Sequence, residues 1–371
     1  MNETVEPNVS APPPGSTLFV FQEIENPGGG ESRRIGFTEV DIAPRSYEEL
    51  ASAKLHQAIS IPLEMYNGRI LETNIEGIDV SKYANLKAKL ESPFTAKAIG
   101  LVRGGWLPSG LAASRSNSVV LPDRNIVSEI VGRFDDGKKT GRDPDFLDLF
   151  ENSQVQINPM LFPLEGNGRS LPDATLATSQ LEEAVIKLGK ALPTATLMVG
   201  PESLKGLLGL IEDIRPIMMR EQAFLRRVAP MLANQIARNK VDARWDEVLE
   251  AARETGVPMD SLAVIAALST VANSGACPAR KLLKFHAAYT DADAYNALSD
   301  LNTLKVLIYC FALAPDLNTQ LCTGDRNLAL FWVGLRASDM AWDGTMMSAS
   351  FTPNAAILPE PYNERWVAAL G

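Results

Sequence analysis

The chain has 371 residues, 46% of them hydrophobic and 22% charged, which argues against a disordered polymer and leaves room for two domains with a sizeable core. Its net charge of −10 argues against unselective grip on a polyanion, because that grip comes from Lys and Arg neutralising phosphates; a locally basic groove stays compatible with it. Three cysteines without CxxC spacing and only two histidines argue against a disulfide framework and a zinc site, so any metal must be held by oxygen. No stretch of eighteen apolar residues predicts a membrane span, and the first residues, MNETVEPNVSAPPPGS, are acidic and proline-rich rather than basic and then apolar. The expectation is a soluble cytoplasmic protein.

Residues 1–16 lack apolar periodicity and predict disorder. Residues 17–104 predict a small α+β module of unknown role. In it LFVFQEIE and RRIGFTEVDI flank the glycines of PGGGES as a hairpin, and Ser46 followed by Glu49 is a capping-box signature for a helix. IPLEM and RILET flank Tyr66, Asn67 and Gly68, which predicts a second hairpin; SKYANLKAKLE predicts a helix and AKAIGLV a closing strand. The small, turn-rich stretch at 105–117 predicts a linker to a second domain at 118–371.

That domain opens with SVVLPDRNIVSEIV. Val119, Val120 and Leu121 predict a short buried strand, and Ile126, Val127 and Ile130 recur at helical spacing, so Asp123 stands at a strand-to-helix junction. In open parallel sheets ligands bind outside the carboxyl ends of the strands, although Asp is also a common helix cap. DFLDLFE predicts a short helix and QVQI a strand, after which Glu165 is either a solvated loop acid or an inward-facing one. Residues 201–273 turn helical. Around Pro230, which predicts a kink or a split, Met218, Leu225, Val228, Leu232 and Ile236 form one face and Arg220, Arg227 and Arg238 the other. Those arginines read either as a solvated face or as a strip that contacts a nucleic-acid backbone. Asp300 predicts the start of an apolar helix that Pro315 stops, TQLCTGD predicts a strand ending in Thr323 and Asp325, and SASFTPNAAIL predicts an edge strand and turn.

Four acids in this order, Asp123, Glu165, Asp300 and Asp325, resemble the PIN-domain nuclease family. The matching pieces are VVLPDRNIVSEI, VQINPMLFPLEGN, ALSDLNTLKVL and LCTGDRNL, and the helical stretch at 201–273 lengthens the interval between the second and third. The resemblance implies an α/β fold, a PIN-like parallel sheet flanked by helices, with a large helical insertion and the small α+β domain in front. It also implies a metal-dependent endonuclease acting on RNA, with Asp123, Glu165, Asp300 and Asp325 as catalytic ligands of Mg²⁺ or Mn²⁺. Asp260, which also opens an apolar helix, is the rival to Asp300. Asn125 either orients Asp123 or caps the helix; Thr323 either binds a phosphate oxygen or satisfies a turn.

The chemistry explains such convergence. Hydrolysis of a phosphodiester needs cations that screen its charge and lower the pKa of a water, and hard divalent ions take a ring of carboxylates as ligands. Single-stranded DNA is the alternative substrate to RNA. The rival readings are a catalytically inactive PIN-like binding or regulatory protein, and a toxin- or defence-type nuclease held in check by its extra domain. A homo-oligomer or an inhibitory partner is compatible with either, and a membrane is not expected.

Overall fold

The computed structural model describes residues 18–22, 31–166, 168, 170–273, 275 and 277–371; the disorder expected at 1–16 and the tip of the first hairpin lie outside them. The N-terminal strands β1 (Phe19–Gln22), β2 (Arg34–Thr38), β3 (Asp41–Ile42), β4 (Ser60–Thr73) and β5 (Tyr83–Glu91) form one antiparallel sheet, with helix α1 (Tyr47–Ser52) between β3 and β4. The Ser46–Glu49 capping box that starts α1 is present.

Two expectations fail in this sheet. Tyr66, Asn67 and Gly68 do not turn the chain: β4 runs through them, with Asn67 at φ 55° and a register shift between Met65 and Gly68. The left-handed conformation that Asn and Gly tolerate makes a bulge instead of a hairpin. Tyr83–Glu91 is a strand, not a helix. Its apolar residues Ala84, Leu86, Ala88 and Leu90 fall on every second position and share the half-buried face, so the period is two.

The chain then enters a six-stranded sheet through β6 (Ile99–Val102) and β7 (Gly105–Pro108), followed by α2 (Ser109–Ala113) and β8 (Ser118–Pro122). The linker expected at 105–117 is therefore structure: all four residues of β7 are buried, and β7 pairs antiparallel with β6. Small residues there permit close packing. A Cβ on Gly110 would sit 2.0 Å from the Phe146 carbonyl oxygen. α3 (Arg124–Arg133) leads to the hairpin β9 (Phe134–Asp135) and β10 (Lys138–Lys139), then to a 3₁₀ turn at Phe146–Phe150, β11 (Gln156–Ile157), α4 (Leu161–Glu165), α5 (Ala174–Ala191) and β12 (Thr196–Leu197).

Helices follow: α6 (Pro201–Leu232), α7 (Val241–Thr255), α8 (Leu262–Ala272), α9 (Pro278–Leu283) and α10 (Asp291–Leu313). α6 continues through Pro230 as a single helix, because its buried stripe of Leu207, Ile211, Met218, Leu225 and Val228 outweighs the roughly 3 kcal/mol an interior proline costs. The chain ends with β13 (Asn318–Thr323), α11 (Arg326–Leu335), the hairpin β14 (Ala337–Trp342) and β15 (Met347–Phe351), and α12 (Tyr362–Ala369). No helix among the described residues is long and apolar enough to cross a membrane.

The strand order of the large sheet is β12-β11-β8-β13-β6-β7; the first four are parallel, and β6 and β7 are antiparallel. The protein is thus mixed α/β. One core groups Val120, Ile157 and Cys322 of the sheet with Ile126, Val127 and Ile130 of α3 and Leu188 of α5. The other joins Leu121 and Leu321 to α6, α8 and α10 and continues into the N-terminal sheet through Leu63 and Met65. Trp106 of β7 is fully buried and donates through Nε1 to the Ser46 carbonyl at 3.1 Å, tying the two sheets together. Trp106→Ala should cost about 3–5 kcal/mol in urea unfolding; a loss under about 0.5 kcal/mol, as for a surface linker residue, would contradict this packing.

Candidate active site

β8 and β13 lie side by side at the centre of the sheet, in a register that pairs Leu121 with Leu321 and Pro122 with Cys322. Each runs directly into a helix, and the residue at each junction is an aspartate. Asp123 caps α3 by accepting from the Ile126 N–H at 2.7 Å; Asp325 caps α11 by accepting from the Asn327 N–H at 2.6 Å and the Leu328 N–H at 3.1 Å. The junctions are joined to each other. The Asp123 N–H donates to the Cys322 carbonyl at 3.0 Å, and the Thr323 hydroxyl accepts from the Asp325 N–H at 3.0 Å while hydrogen-bonding the Asp123 carboxylate. Thr323 therefore satisfies the turn and positions both acids. The Asn125 backbone N–H also bonds Asp123.

Glu165 arrives from the neighbouring strand β11 by way of α4. Both its carboxylate oxygens accept from the Arg124 N–H at 3.2 Å, which seats the acid at the positive end of α3. It is the inward-facing alternative of the two read from the sequence. Tyr295 of α10 donates to the Glu165 carbonyl at 3.2 Å and fixes α4 against α10. Asp300 lies on α10 but does not start it: Thr290 caps that helix in a capping box with Asp293, and Asp300 comes roughly two and a half turns later. Helix-starting chemistry at Thr290 outcompetes a lone aspartate within a continuous apolar pattern.

The acids share one electrostatic field. Burial pushes the Asp123 carboxyl up, and the bonds from Thr323 and the backbone N–H groups of Ile126, Gly324 and Asn125 oppose that only in part. Burial pushes Glu165 well above the usual carboxylate range, and the charges of Asp123 and Asp300 add to it. Asp300 is pushed up to about 7 by burial, then by the charges of Asp325 and Asp123, with Lys284 opposing. No hydrogen bond contributes to the state of Asp300, so of the four it is the one without an anchor. Among the described residues no three His, Cys, Asp or Glu side chains stand close enough to hold a metal ion without adjustment. The coupling is through charge and burial, not through a preformed cage.

Two polar cavities adjoin the acids. One, of about 530 Å³, is lined by Asn125 and Gly324 together with His56, Lys97, Glu129 and Arg142. The other, of about 270 Å³, contains Asp300, Lys284, His286 and Asn296. Arg220, Arg227 and Arg238 line neither cavity, and Arg227 is paired with Glu254. Asp260 is exposed beside Ser261, the actual cap of α8. Sequence reasoning missed Lys284, just past the end of α9, whose charge acts on Asp300, and His56 and Lys97, which come from the turn before β4 and the loop before β6. Arg124 stood within the DRN motif. Its guanidinium stacks 4.0 Å from the centre of the Phe162 ring and donates to the Phe162 carbonyl at 3.1 Å, and its charge offsets part of the upward push on Glu165.

Fold and site together define a mixed α/β protein with a carboxylate cluster, Asp123 buried and the other three half-buried, at the carboxyl ends of its parallel strands, the position where such sheets bind ligands. The chain matches no protein family model, and neither curated proteins nor solved structures show significant similarity to it.

The native state binds the Asp300 proton more tightly than the unfolded chain, whose ordinary value is 3.8. The stability from protonated Asp300 is therefore complete below about pH 4 and lost as pH rises through about 7. In EDTA, Asp300→Asn should raise Tm above wild type increasingly from pH 4 to pH 8, by roughly a few degrees at the upper end. A difference in Tm that is flat across that range would remove Asp300 from the shared field.

Proposed function

We propose that the protein is a metal-dependent endonuclease that hydrolyses phosphodiester bonds in RNA, with single-stranded DNA as the alternative substrate. One observation carries this reading: four acids from different elements, Asp123, Glu165, Asp300 and Asp325, converge where parallel strands end, and three have carboxyl groups pushed upward by burial and mutual charge. A buried, repelling set of carboxylates costs stability and calls for a proton or a cation in compensation, which is the signature of a functional site. The order of the acids along the chain and their local contexts, as in PIN-like nucleases, support the same reading.

The donors are all oxygen, which suits Mg²⁺ or Mn²⁺ held by Asp123, Glu165, Asp300 and Asp325. When bound, the ion would screen the phosphodiester charge and lower the pKa of the attacking water. The protein's own part is positional. Thr323 and the N–H groups of Ile126, Asn327 and Arg124 anchor three acids, whereas Asp300 is free to adjust and gives up a proton as the cation is taken up. Lys97 and Lys284, in the two adjoining cavities, are placed to meet the backbone of a bound strand.

Purified wild type should cleave a labelled mixed-sequence RNA with Mg²⁺ or Mn²⁺ and not with EDTA, and Asp123→Asn should lose roughly a hundredfold or more of the rate. A folded Asp123→Asn protein with full activity would overturn the assignment. Apparent Mn²⁺ affinity should also rise as pH increases through about 7, the value at which Asp300 ionises.

A second reading is favoured by the capping bonds themselves: Asp123 and Asp325 both cap helices, as they would in a catalytically inactive binding or regulatory protein. In that case Mn²⁺ leaves the Tm of wild type, Asp123→Asn and Asp325→Asn unchanged, Asn capping a helix about as well as Asp. At a nuclease centre Mn²⁺ stabilises wild type, and both substitutions abolish the gain.

A further inference from the structure

A further cavity contains none of the four acids. It sits between α6 and α10 against β8 and β13, floored by Val119 and Leu121 and walled by Leu207, Leu210 and Val306. Its lining runs from Val119 and Thr319 to Leu121, two residues before Asp123, and on to Asn158 and Met198 past the ends of β11 and β12. Its volume is about 480 Å³, within the range of small-molecule sites.

α6 leaves the space open. Gly206 and Gly209 line it, and a Cβ built on either would meet nothing within 4 Å. Glycine inside a helix costs stability relative to alanine, and neither position has a close approach that requires it. The consequence is apolar surface left in water at the mouth: Leu313 is 59% exposed and Trp342 41% exposed.

The mouth has its own chemistry. The rings of Tyr309 on α10 and Trp342 on β14 lie with centroids 6.4 Å apart, tilted by 49°. Asp213 of α6 stands at the same edge, near enough for its charge to raise the Tyr309 phenol alongside burial. Neither an ion pair nor a hydrogen bond from a described residue engages the Asp213 side chain, and no Lys, Arg or His lines the cavity. Two aromatic faces beside one uncompensated carboxylate attract a cation and repel an anion. An apolar cleft with such a mouth selects a ligand with both parts.

We propose that this cavity binds an amphipathic amine, its apolar chain or ring lying along Val119, Leu207 and Val306 and its ammonium group held at the mouth by Asp213, Tyr309 and Trp342. The site is independent of the carboxylate cluster and would stand if that cluster proved to be structural.

The test is calorimetric titration of the full-length protein with octylamine, octan-1-ol and octanoate, each below its aggregation threshold. Octylamine should bind saturably at one site, about tenfold tighter than the alcohol, and octanoate should bind weakest. Asp213→Asn should erase the advantage of the amine while sparing the alcohol, and Gly209→Leu, whose side chain would fill the cleft, should abolish both. Trp342→Ala, an exposed position that leaves the core intact, should weaken the amine more than the alcohol. The proposal is overturned by octanoate binding as tightly as octylamine, by the absence of saturable binding, or by amine binding that survives both Gly209→Leu and Trp342→Ala. Sedimentation showing a dimer that disperses on Trp342→Ala would equally overturn it, by assigning the patch to a second copy of the chain.

Discussion

The pairing of β8 with β13 is the constraint on which the remaining structure depends. The two strands align Ser118 with Asn318, and parallel strands cannot be joined by a tight turn, so the intervening chain must cross over. It does so through β11 and β12, which extend the sheet, and through helices that bury their apolar stripes on the sheet and on each other. Loop closure costs little more for a long crossover than for a short one, so the interval could grow without undoing the pair. Setting the strands in register sets their ends in register too. Asp123 and Asp325 become neighbours, joined by the Asp123 N–H to Cys322 bond and by the hydroxyl of Thr323.

The acid cluster then follows from what the sheet ends offer. Helix N-termini present free N–H groups, and three of the four acids take bonds from them: Asp123 and Asp325 cap their own helices, and Glu165 reaches across to the start of α3. These bonds hold the side chains without cancelling the cost of their burial, and the upward shifts of Asp123, Glu165 and Asp300 record the balance. Asp300 is held by its helix alone. A site with three fixed acids and one adjustable acid is suited to a ligand that supplies positive charge, and it is this arrangement that supports the nuclease reading over simple capping.

The N-terminal strands are built into the protein rather than hung from it. Trp106 reaches Ser46, Arg326 of α11 donates to the Leu50 carbonyl at 3.1 Å, and His56 and Lys97 enter the cavity beside Asn125. A segment that reads as a separate module thus contributes side chains to the cavity that Asn125 and Gly324 line. Between α6 and α10 the glycines of α6 leave a cleft unfilled against the same strands, so one sheet supports two chemically different surfaces, one polar and charged and one apolar with a single carboxylate.

Strong local signals determined a good part of this. The strand-Asp-helix junctions at Asp123 and Asp325 were legible because an apolar run, a cap and helical spacing coincide within a dozen residues, and the Ser46–Glu49 box and the apolar stripe of α6 were legible for the same reason. Local pattern misled where two structures share it. Asn67-Gly68 serves a bulge as well as a turn, and the small residues at 105–113 serve close packing as well as a linker. Tertiary structure alone decided which side chains share a field: the seat of Glu165 against the start of α3 and the coupling of Asp300 to Asp325 and Asp123 are not written in their neighbours. Lys284 acts on Asp300 from the segment before α10, and His56 and Lys97 line a cavity with Asn125 and Gly324, placements that only the folded chain makes. Capping and periodicity act over one or two turns and can be read from a string, whereas burial and charge coupling act through space and exist only once the strands have paired.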